Sequence, residues 1–328
     1  MASKQTPVVL MAAALTCGTL VAGETARAQD KPDVRIATGR QGGTYYRMGA
    51  IIADTLVRTG KVKSSTAESS SGAIESSRLI QKGTVQIGGM DKMWVIRALK
   101  GEKPYKEKLD LVTVMPMMTS GIFFIVPKDS SIKSLPDLKG KRVSVGARNS
   151  GMENHAHTIL DGLGMTFKDI KPVYLSFGPG GRAVKDGKAD TQLQCCLPNG
   201  AMTELSELRA VRVVPMDKDL PKIMAKYATY GKTVLKKGTF KGHDKDEPVL
   251  GIVQGWMGSS TLSEETAYVF ASTLLKHFDE MTKKMPQFAS GKDMIMEAKA
   301  KNSTAPVEVG AKMHPGSIRA LKEAGILK

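Results

Sequence analysis

The chain has 328 residues, of which 24% are charged and 5% aromatic, and its formal net charge is +16. This length is enough for two ordinary domains. The positive charge favours acidic partners, namely an anionic ligand, an anionic membrane surface or nucleic acid. Nucleic acid is disfavoured because the chain has no zinc-finger spacing, no RNP-like aromatic run and no basic-region heptad.

The first 28 residues have the order of a secretory signal peptide. Lys4 precedes an uncharged apolar run over residues 8–22, and Ala26-Arg27-Ala28 forms a small-x-small cleavage site. The apolar run is shorter than the ~20 residues that a transmembrane helix needs. We therefore expect cleavage after Ala28 and a periplasmic protein, with a retained membrane anchor as the alternative. Cleavage removes two basic residues and one acidic residue, which leaves a net charge of +15.

Short apolar runs alternate with helical patterns along the rest of the chain. The predicted strands lie at residues 34–38, 63–68, 85–88, 143–146 and 173–176. The helices that follow them are predicted at residues 45–58, 73–81, 92–99, 152–163 and 181–185. This alternation predicts βα units and a mostly parallel sheet, which is the α/β class.

The chain also repeats its own plan. Residues 36–44 and 143–151 each read as a strand, a polar glycine loop and a helix start. Residues 78–85 and 182–189 each end a helix with a glycine and enter a strand. We interpret these echoes as two lobes built alike. The alternative is chance repetition of a βα device that is common in α/β proteins.

The predicted lobe boundaries lie at two apolar strands. Residues 121–127 leave the first lobe, and residues 211–215 carry the chain back. Lobe one is then residues 29–125 plus 216–328, and lobe two is residues 126–215. Two strand crossings make a hinge, and a hinge between α/β lobes makes a closing ligand cleft.

The two glycine loops are the first candidate binding segments. Loops 39–44 and 146–151 end at helix N-termini, where free N–H groups and the helix dipole favour an anion. Arg148 is either a bidentate contact to that anion or a solvent-facing side chain. Residues 69–72 form a third polar turn before a helix, or a plain helix cap. Tyr45 offers a ring wall and a hydroxyl, or packs in the core.

The signatures of the common enzyme classes are missing. No Lys-Ser/Thr pair follows the glycines at residues 146–151, and no G-x-S-x-G elbow occurs. His155 and His157 point in different directions on a helix, so a shared metal is disfavoured. Cys195 and Cys196 are adjacent, so they close no loop, and we expect them to be dispensable for folding. They are either small buried hydrophobes or part of the cleft wall.

Residues 42–49 read G-G-T-Y-Y-R-M-G, which resembles the G-G-T-Y-Y-x-x-G signature of the TAXI group of TRAP-transporter receptors. Further agreement with this family occurs at residues 66–75, 135–146, 174–177 and 314–318. The resemblance covers about residues 34–328. It implies a type II periplasmic binding fold, no catalysis, no cofactor and a carboxylate or amino-acid ligand. It also implies a sodium-coupled TRAP permease as the partner.

The resemblance also implies ligand contacts. In lobe one it implies Gly43, Thr44, Tyr45, Ser71 and Gly72, and in lobe two Ser150 and Gly151. The chain departs from the family in three cleft loops: G-M-D at residues 89–91, R-N-S-G-M at residues 148–152 and C-L-P at residues 196–198. The family often has Q-S-D, P-G-S-G-T and G-x-P at these places. The substrate of this chain could therefore differ from the common substrates of the family. These loops add five candidates, Asp91, Arg148, Asn149, Cys196 and Pro198.

We therefore expect a monomeric receptor that captures a small organic anion by lobe closure and delivers it to a membrane permease, with no metal and no cofactor. One alternative is a periplasmic sensor subunit that binds the same ligand and signals to a membrane kinase. Another is an exported enzyme on this fold, against which the missing catalytic constellation argues.

Overall fold

A mixed sheet of ten strands, flanked by helices, dominates the part of the chain that the structure describes. The structure is a computed structural model that describes residues 1–2 and 31–328. The predicted signal peptide and its cleavage site after Ala28 lie outside the described residues. Within those residues, no helix is both long enough and apolar enough to cross a membrane.

The strands and helices alternate along most of the chain. The strands are β1 Asp33–Ala37, β2 Ser64–Glu68, β3 Ile87–Asp91, β4 Val112–Pro127, β5 Arg142–Ser144, β6 Lys171–Val173, β7 Thr191–Cys195, β8 Val211–Val213, β9 Gly231–Leu235 and β10 Glu247–Gly258. The helices are α1 Thr44–Arg58, α2 Ala73–Gln81, α3 Lys92–Lys100, α4 Gly151–Gly162, α5 Phe177–Lys185, α6 Gly200–Leu208, α7 Leu220–Lys226, α8 Glu264–Lys284, α9 Phe288–Lys301 and α10 Pro315–Glu323.

The sheet has two parallel groups separated by two long strands. Its order is β2-β1-β3-β10-β4-β7-β5-β6, with β8 paired to β4 and β9 paired to β10. Strands β1, β2 and β3 are parallel to one another, and so are β5, β6 and β7. Strands β4 and β10 pair in an antiparallel manner with each other and with their outer neighbours. The predicted parallel βα units therefore form, and an antiparallel pair joins them.

The two long strands connect the halves of the sheet in a way that differs from the prediction. Ile122 of β4 pairs with Leu250 of β10 and also with Cys195 of β7. The first predicted crossing thus lies in β4, which extends over 16 residues rather than seven. The second was predicted at residues 211–215, but β8 pairs with the end of β4 and stays in the second half. The return passes through β9 and β10 instead, because β10 continues from its pairing with β9 to its pairing with β3.

The packing of α7 bears on the predicted lobe boundary. This helix was assigned to lobe one, yet it packs against α4. A Cβ added at Gly162 of α4 would lie 3.1 Å from Cγ1 of Ile223 in α7, so the two helices are in close contact there. Residues 220–226 therefore belong, by their contacts, with the second half of the sheet.

Several local features explain where the elements begin and approach each other. The carboxylate of Asp91 accepts hydrogen bonds from the N–H groups of Met93 and Trp94, which starts α3 directly after β3. Gly49 lets α1 approach β1 closely, because a Cβ there would lie 2.4 Å from Cγ2 of Thr38. In the core, the fully buried Trp256 of β10 packs edge-on against Phe270 of α8, with ring centroids 6.2 Å apart.

Candidate functional site

A cavity of about 430 Å³ lies at the carboxyl ends of the parallel strands. The loops that follow β1, β2, β5, β6 and β7 line it, together with the end of β3 and Ile252 of β10. Ligands of α/β proteins bind at this edge because the loops there differ in sequence while the strands hold them in place. Both parallel groups of the sheet contribute loops, so the cavity lies between the two halves.

Helix N-termini converge on this cavity. Gly43, Gly72 and Ser176, the residues before α1, α2 and α5, all line it, and none of them makes a side-chain cap hydrogen bond. By contrast, the side chain of Ser150 caps α4 and that of Asn199 caps α6. The positive dipole ends of three helices without side-chain caps therefore face the cavity, which favours a negatively charged group there.

The predicted residues divide clearly between the cavity and the surface around it. Nine of them line the cavity, which are Gly43, Thr44, Tyr45, Ser71, Gly72, Asp91, Ser150, Gly151 and Cys196. Three others, Arg148, Asn149 and Pro198, are exposed and lie outside the lining. The backbone of Asn149 is left-handed, with φ of 60°, and the carbonyl of Pro198 accepts a hydrogen bond from Gln287.

Arg148, which was predicted to contact the ligand, lies outside the lining and contacts an aromatic ring instead. Its guanidinium carbon lies 3.7 Å from the centroid of the Tyr174 ring, in a cation–π contact. Arg40, at the start of the first glycine loop, does line the cavity. Sequence position could not separate the two arginines, because Tyr174 lies on a different strand end from Arg148.

The side chain of Ser150 caps a helix, whereas that of Thr44 does not. Thr44 is the first residue of α1 rather than its cap. Its hydroxyl donates a 2.7 Å hydrogen bond to the carbonyl oxygen of Cys196, in the loop after β7. This bond crosses from one half of the sheet to the other, so the Thr44 hydroxyl is already occupied.

A buried acid–histidine pair forms part of the wall. Oδ2 of Asp91 lies 3.5 Å from Nε2 of His155, and Nδ1 of His155 lies 2.6 Å from the hydroxyl of Tyr230. Both Asp91 and His155 line the cavity. His155 was considered only as a disfavoured metal ligand, and its role in the wall was missed because Asp91 is distant in sequence. Among the described residues, no cluster of three or more His, Cys, Asp or Glu side chains is placed to hold a metal ion.

A second polar group that sequence reasoning missed lies against Cys196 of the cavity wall. Gln254 of β10 donates a 2.6 Å hydrogen bond to Ser120 of β4, and both are buried. Gln254 and Ser120 each also contact the sulfur of Cys196. The sequence did offer one indication of this pair, because both polar residues interrupt apolar strand segments. A polar group buried in a strand needs a hydrogen-bond partner, so each residue could have been expected to have one.

The NMT1-like family matches residues 36–325, which is most of the chain. The chain belongs to the NMT1-like family. Among solved structures, this NMT1-like protein is similar to the alkanesulfonate-binding protein SsuA from Xanthomonas axonopodis pv. citri bound to MOPS. The identity is 16%, the TM-score is 0.50, and the match covers 90% of this chain and 91% of that chain.

Another similar structure is the periplasmic aliphatic sulphonate binding protein SsuA from Escherichia coli. Its identity to the NMT1-like protein is 15% and its TM-score 0.48, with 80% of this chain and 79% of that chain covered. The likeness to the Xanthomonas protein shows the fold. The predicted α/β fold of periplasmic binding proteins is therefore confirmed for this NMT1-like protein.

Proposed function

We propose that this protein is an extracytoplasmic solute receptor that captures a small organic anion, a carboxylate or an amino acid, in the cavity. The observation that carries the proposal is the convergence of α1, α2 and α5 on the cavity without side-chain caps. An anion placed there accepts N–H hydrogen bonds from the first turns of these helices, as bound anions do at helix N-termini generally.

Of the charged side chains that line the cavity, Arg40 supports the same polarity, whereas Asp91 and Glu204 are acidic. Arg40 lines the cavity beside the start of α1, where it adds a positive charge to the helix dipole. Glu75 is not among the lining residues, and its carboxylate accepts a 2.6 Å hydrogen bond from the N–H of Ser71. The hydrogen bonds from Ser71, with smaller contributions from Arg40 and Arg78, lower the pKa of Glu75. The Ser71 N–H is thus occupied, and α1 and α5 offer the better anion contacts.

We assign the two lobes along the halves of the sheet. The predicted division was residues 29–125 plus 216–328 for lobe one and residues 126–215 for lobe two. We keep it with one change, which moves α7 to lobe two because this helix packs on α4. Strands β4 and β10 form the hinge, since they alone among the described strands run from one parallel group to the other. Lobe closure would hold the loops after β1 and β7 together. In this structure a hydrogen bond from Thr44 to Cys196 already joins these two loops.

The partner and the compartment follow from the resemblance to the TAXI group. That resemblance includes G-G-T-Y-Y-R-M-G at residues 42–49 and D-L-K-G-K-R-V at residues 137–143. It favours a TRAP-type permease that receives the anion from a monomeric receptor in the periplasm. The signal-peptide pattern of residues 1–28 supports the same compartment.

The experiment is a thermal-shift screen of the purified protein. The library contains dicarboxylates, amino acids and alkanesulfonates, with neutral sugars and polyamines as the charge controls. A ligand at 100 times its Kd adds ~2.7 kcal/mol to the free energy of unfolding, which raises Tm measurably. We expect an anion to give the largest rise. A neutral or cationic best ligand contradicts the anion assignment, and no ligand in any class contradicts the receptor function.

The transporter assignment is tested separately, with the acid found in the screen. Membrane vesicles that hold a TRAP-type permease should take up this acid only when both the receptor and an inward sodium gradient are supplied. Uptake that ignores the receptor, or that ignores sodium, contradicts the TRAP assignment while leaving the ligand assignment intact.

A further inference from the structure

Two adjacent free thiols lie on the wall of the cavity. Cys195 is the last residue of β7, Cys196 follows it, and both line the cavity. Their sulfur atoms are 2.8 Å apart, and both residues are buried. A molecule that enters the cavity therefore lies beside both cysteines.

The two sulfur atoms have different surroundings. The sulfur of Cys196 lies 3.6 Å from the Ser120 hydroxyl and 3.5 Å from Nε2 of Gln254, and the Cys195 thiol is its third neighbouring donor. These hydrogen bonds lower the pKa of Cys196, the bond from Cys195 contributing most. The same bond, together with burial, raises the pKa of Cys195. Of the two thiols, Cys196 is thus the more acidic.

The backbone conformation at Cys196 is one that a residue with a side chain seldom adopts. Its φ is 60°, in the left-handed region that glycine adopts without a steric penalty. A non-glycine residue with such backbone strain persists where the surrounding structure enforces it, commonly at functional sites. Glycine would suit the loop conformation better, so the thiol is retained against the local backbone preference.

We propose that Cys195 and Cys196 form a dithiol site that reacts with small disulfides entering the cavity. In the first step the Cys196 thiolate attacks one sulfur of a disulfide RSSR. A bond forms between Cys196 and the RS group, the original S–S bond breaks, and RS⁻ leaves and takes a proton. The protein then carries a mixed disulfide on Cys196.

In the second step Cys195 loses its proton to solvent and its sulfur attacks the sulfur of Cys196. A disulfide between Cys195 and Cys196 forms, the mixed disulfide breaks, and the second RS⁻ leaves and is protonated. The thiol pair is oxidised by two electrons, and RSSR is reduced to two RSH. This chemistry requires only that small molecules enter the cavity, so it does not rest on the proposed anion ligand or on the permease.

The test uses the protein with Cys17→Ser, which leaves Cys195 and Cys196 as its two cysteines. The probe is 4,4′-dithiodipyridine, because each displaced thiopyridone absorbs light and the protein product is identified by intact mass. The parent should release two equivalents and lose two hydrogens in mass. Cys195→Ser should release one equivalent and keep the adduct on Cys196. Cys196→Ser should react more slowly by about ten-fold, because the thiol favoured as a thiolate is gone.

Ser120→Ala tests whether the surroundings of Cys196 promote its reaction. It removes one hydrogen-bond donor to Cys196 and leaves both thiols in place. It should slow the release of thiopyridone in the folded protein and leave the rate in urea unchanged. Melting curves of each variant, before the probe is added, identify any loss of fold. Because the parent differs from the natural chain only by Cys17→Ser, in the predicted signal peptide, its stoichiometry and product mass test the proposal even if a variant unfolds.

Three outcomes overturn the proposal. In the first, the parent retains a stable adduct, which shows that Cys195 does not resolve it. In the second, the two single variants react at equal rates, which shows that Cys196 is not the attacking thiol. In the third, the folded parent does not react while the urea-unfolded parent does, which shows that the sulfur atoms are closed to small molecules.

Discussion

The hydroxyl of Thr44 donates a 2.7 Å hydrogen bond to the carbonyl oxygen of Cys196, although the two residues are 152 positions apart. Thr44 begins α1 next to β1, and Cys196 follows β7. The bond therefore joins loops from the two halves of the sheet at the cavity. Both residues are buried. If the Thr44 hydroxyl were removed, water could replace it as the donor to Cys196 only by entering the cavity wall.

Thr44→Val should lower the free energy of unfolding by about 1–3 kcal/mol, because it leaves a buried carbonyl oxygen without its donor. Valine keeps the shape of the side chain, so packing changes little. Urea denaturation measures the effect. The control is Thr84→Val, at an exposed position, which should stay within about 0.5 kcal/mol of the parent. Equal effects of the two substitutions would show that the Thr44 bond contributes nothing.

Arg40→Ala should weaken binding of the acid found in the screen, whereas Arg148→Ala should change it little. Arg40 lines the cavity, while Arg148 stacks on Tyr174. A charged hydrogen bond contributes ~1.5–3 kcal/mol, which corresponds to roughly ten- to hundred-fold in Kd. Isothermal titration calorimetry of both variants measures the difference. A larger loss with Arg148→Ala would restore Arg148 as the charge contact.

Gly49→Ala should destabilise the fold by about 1–3 kcal/mol through overpacking. The added Cβ would lie 2.4 Å from Cγ2 of Thr38, so α1 or the end of β1 must move. The matched substitution is Gly231→Ala, where nothing lies within 4 Å of the added Cβ. Differential scanning calorimetry should show a clearly lower Tm for the first variant alone. If Gly49→Ala melts with the parent, the close contact between α1 and β1 is not required.

The unfolding free energy should fall as pH drops below 6.5, partly because of His314. Nδ1 of His314 accepts the N–H of Gly316 at 3.1 Å, and Nε2 lies 2.9 Å from the carbonyl oxygen of Leu262. Burial lowers the pKa of His314 below its ordinary value of 6.5. The unfolded chain therefore binds a proton at a higher pH than the folded protein does. Stability is full above pH 6.5 and is lost as pH falls toward the folded pKa.

His314→Asn keeps a side-chain acceptor before α10 but cannot titrate, so its stability should depend less on pH in this window. Desolvation also lowers the pKa of His157, which stacks on Phe167, so the flattening should be partial. Urea denaturation at about pH 7.5 and 5.5 measures the slope, and the double variant with His157→Gln should flatten it further. A slope unchanged in both variants would show that neither histidine is linked to folding.

Much of the sheet was predictable because its signals are local. The runs at residues 34–38 and 143–146 are apolar and end in glycine loops, and buried parallel strands have this appearance in any α/β protein. They correspond to β1 and β5, and the loops after them line the cavity. Strand β8 at residues 211–213 had the same kind of signal. Its pairing partner was not predictable, because an apolar strand does not specify which neighbour it pairs with.

The same limit applies to the site. Arg40 and Arg148 both sit in glycine loops before a helix, and the sequence offers the same reasons for each. Their difference comes from Tyr174, a residue that only the folded chain brings next to Arg148. The polar pair of Ser120 and Gln254 was missed for a related reason, since their hydrogen bond joins β4 to β10 across 134 positions.

By itself, the sequence of this protein determined the βα alternation, the glycine loops at the strand ends and the helix starts that face the ligand edge, because each depends on residues within one turn or one strand. The tertiary structure alone decided that β4 and β10 link the halves, that Arg40 rather than Arg148 lines the cavity, and that Thr44 bonds to Cys196. These relationships join segments far apart in the chain. They depend on which surfaces bury each other when the whole chain packs, and no local pattern of residue types records that choice.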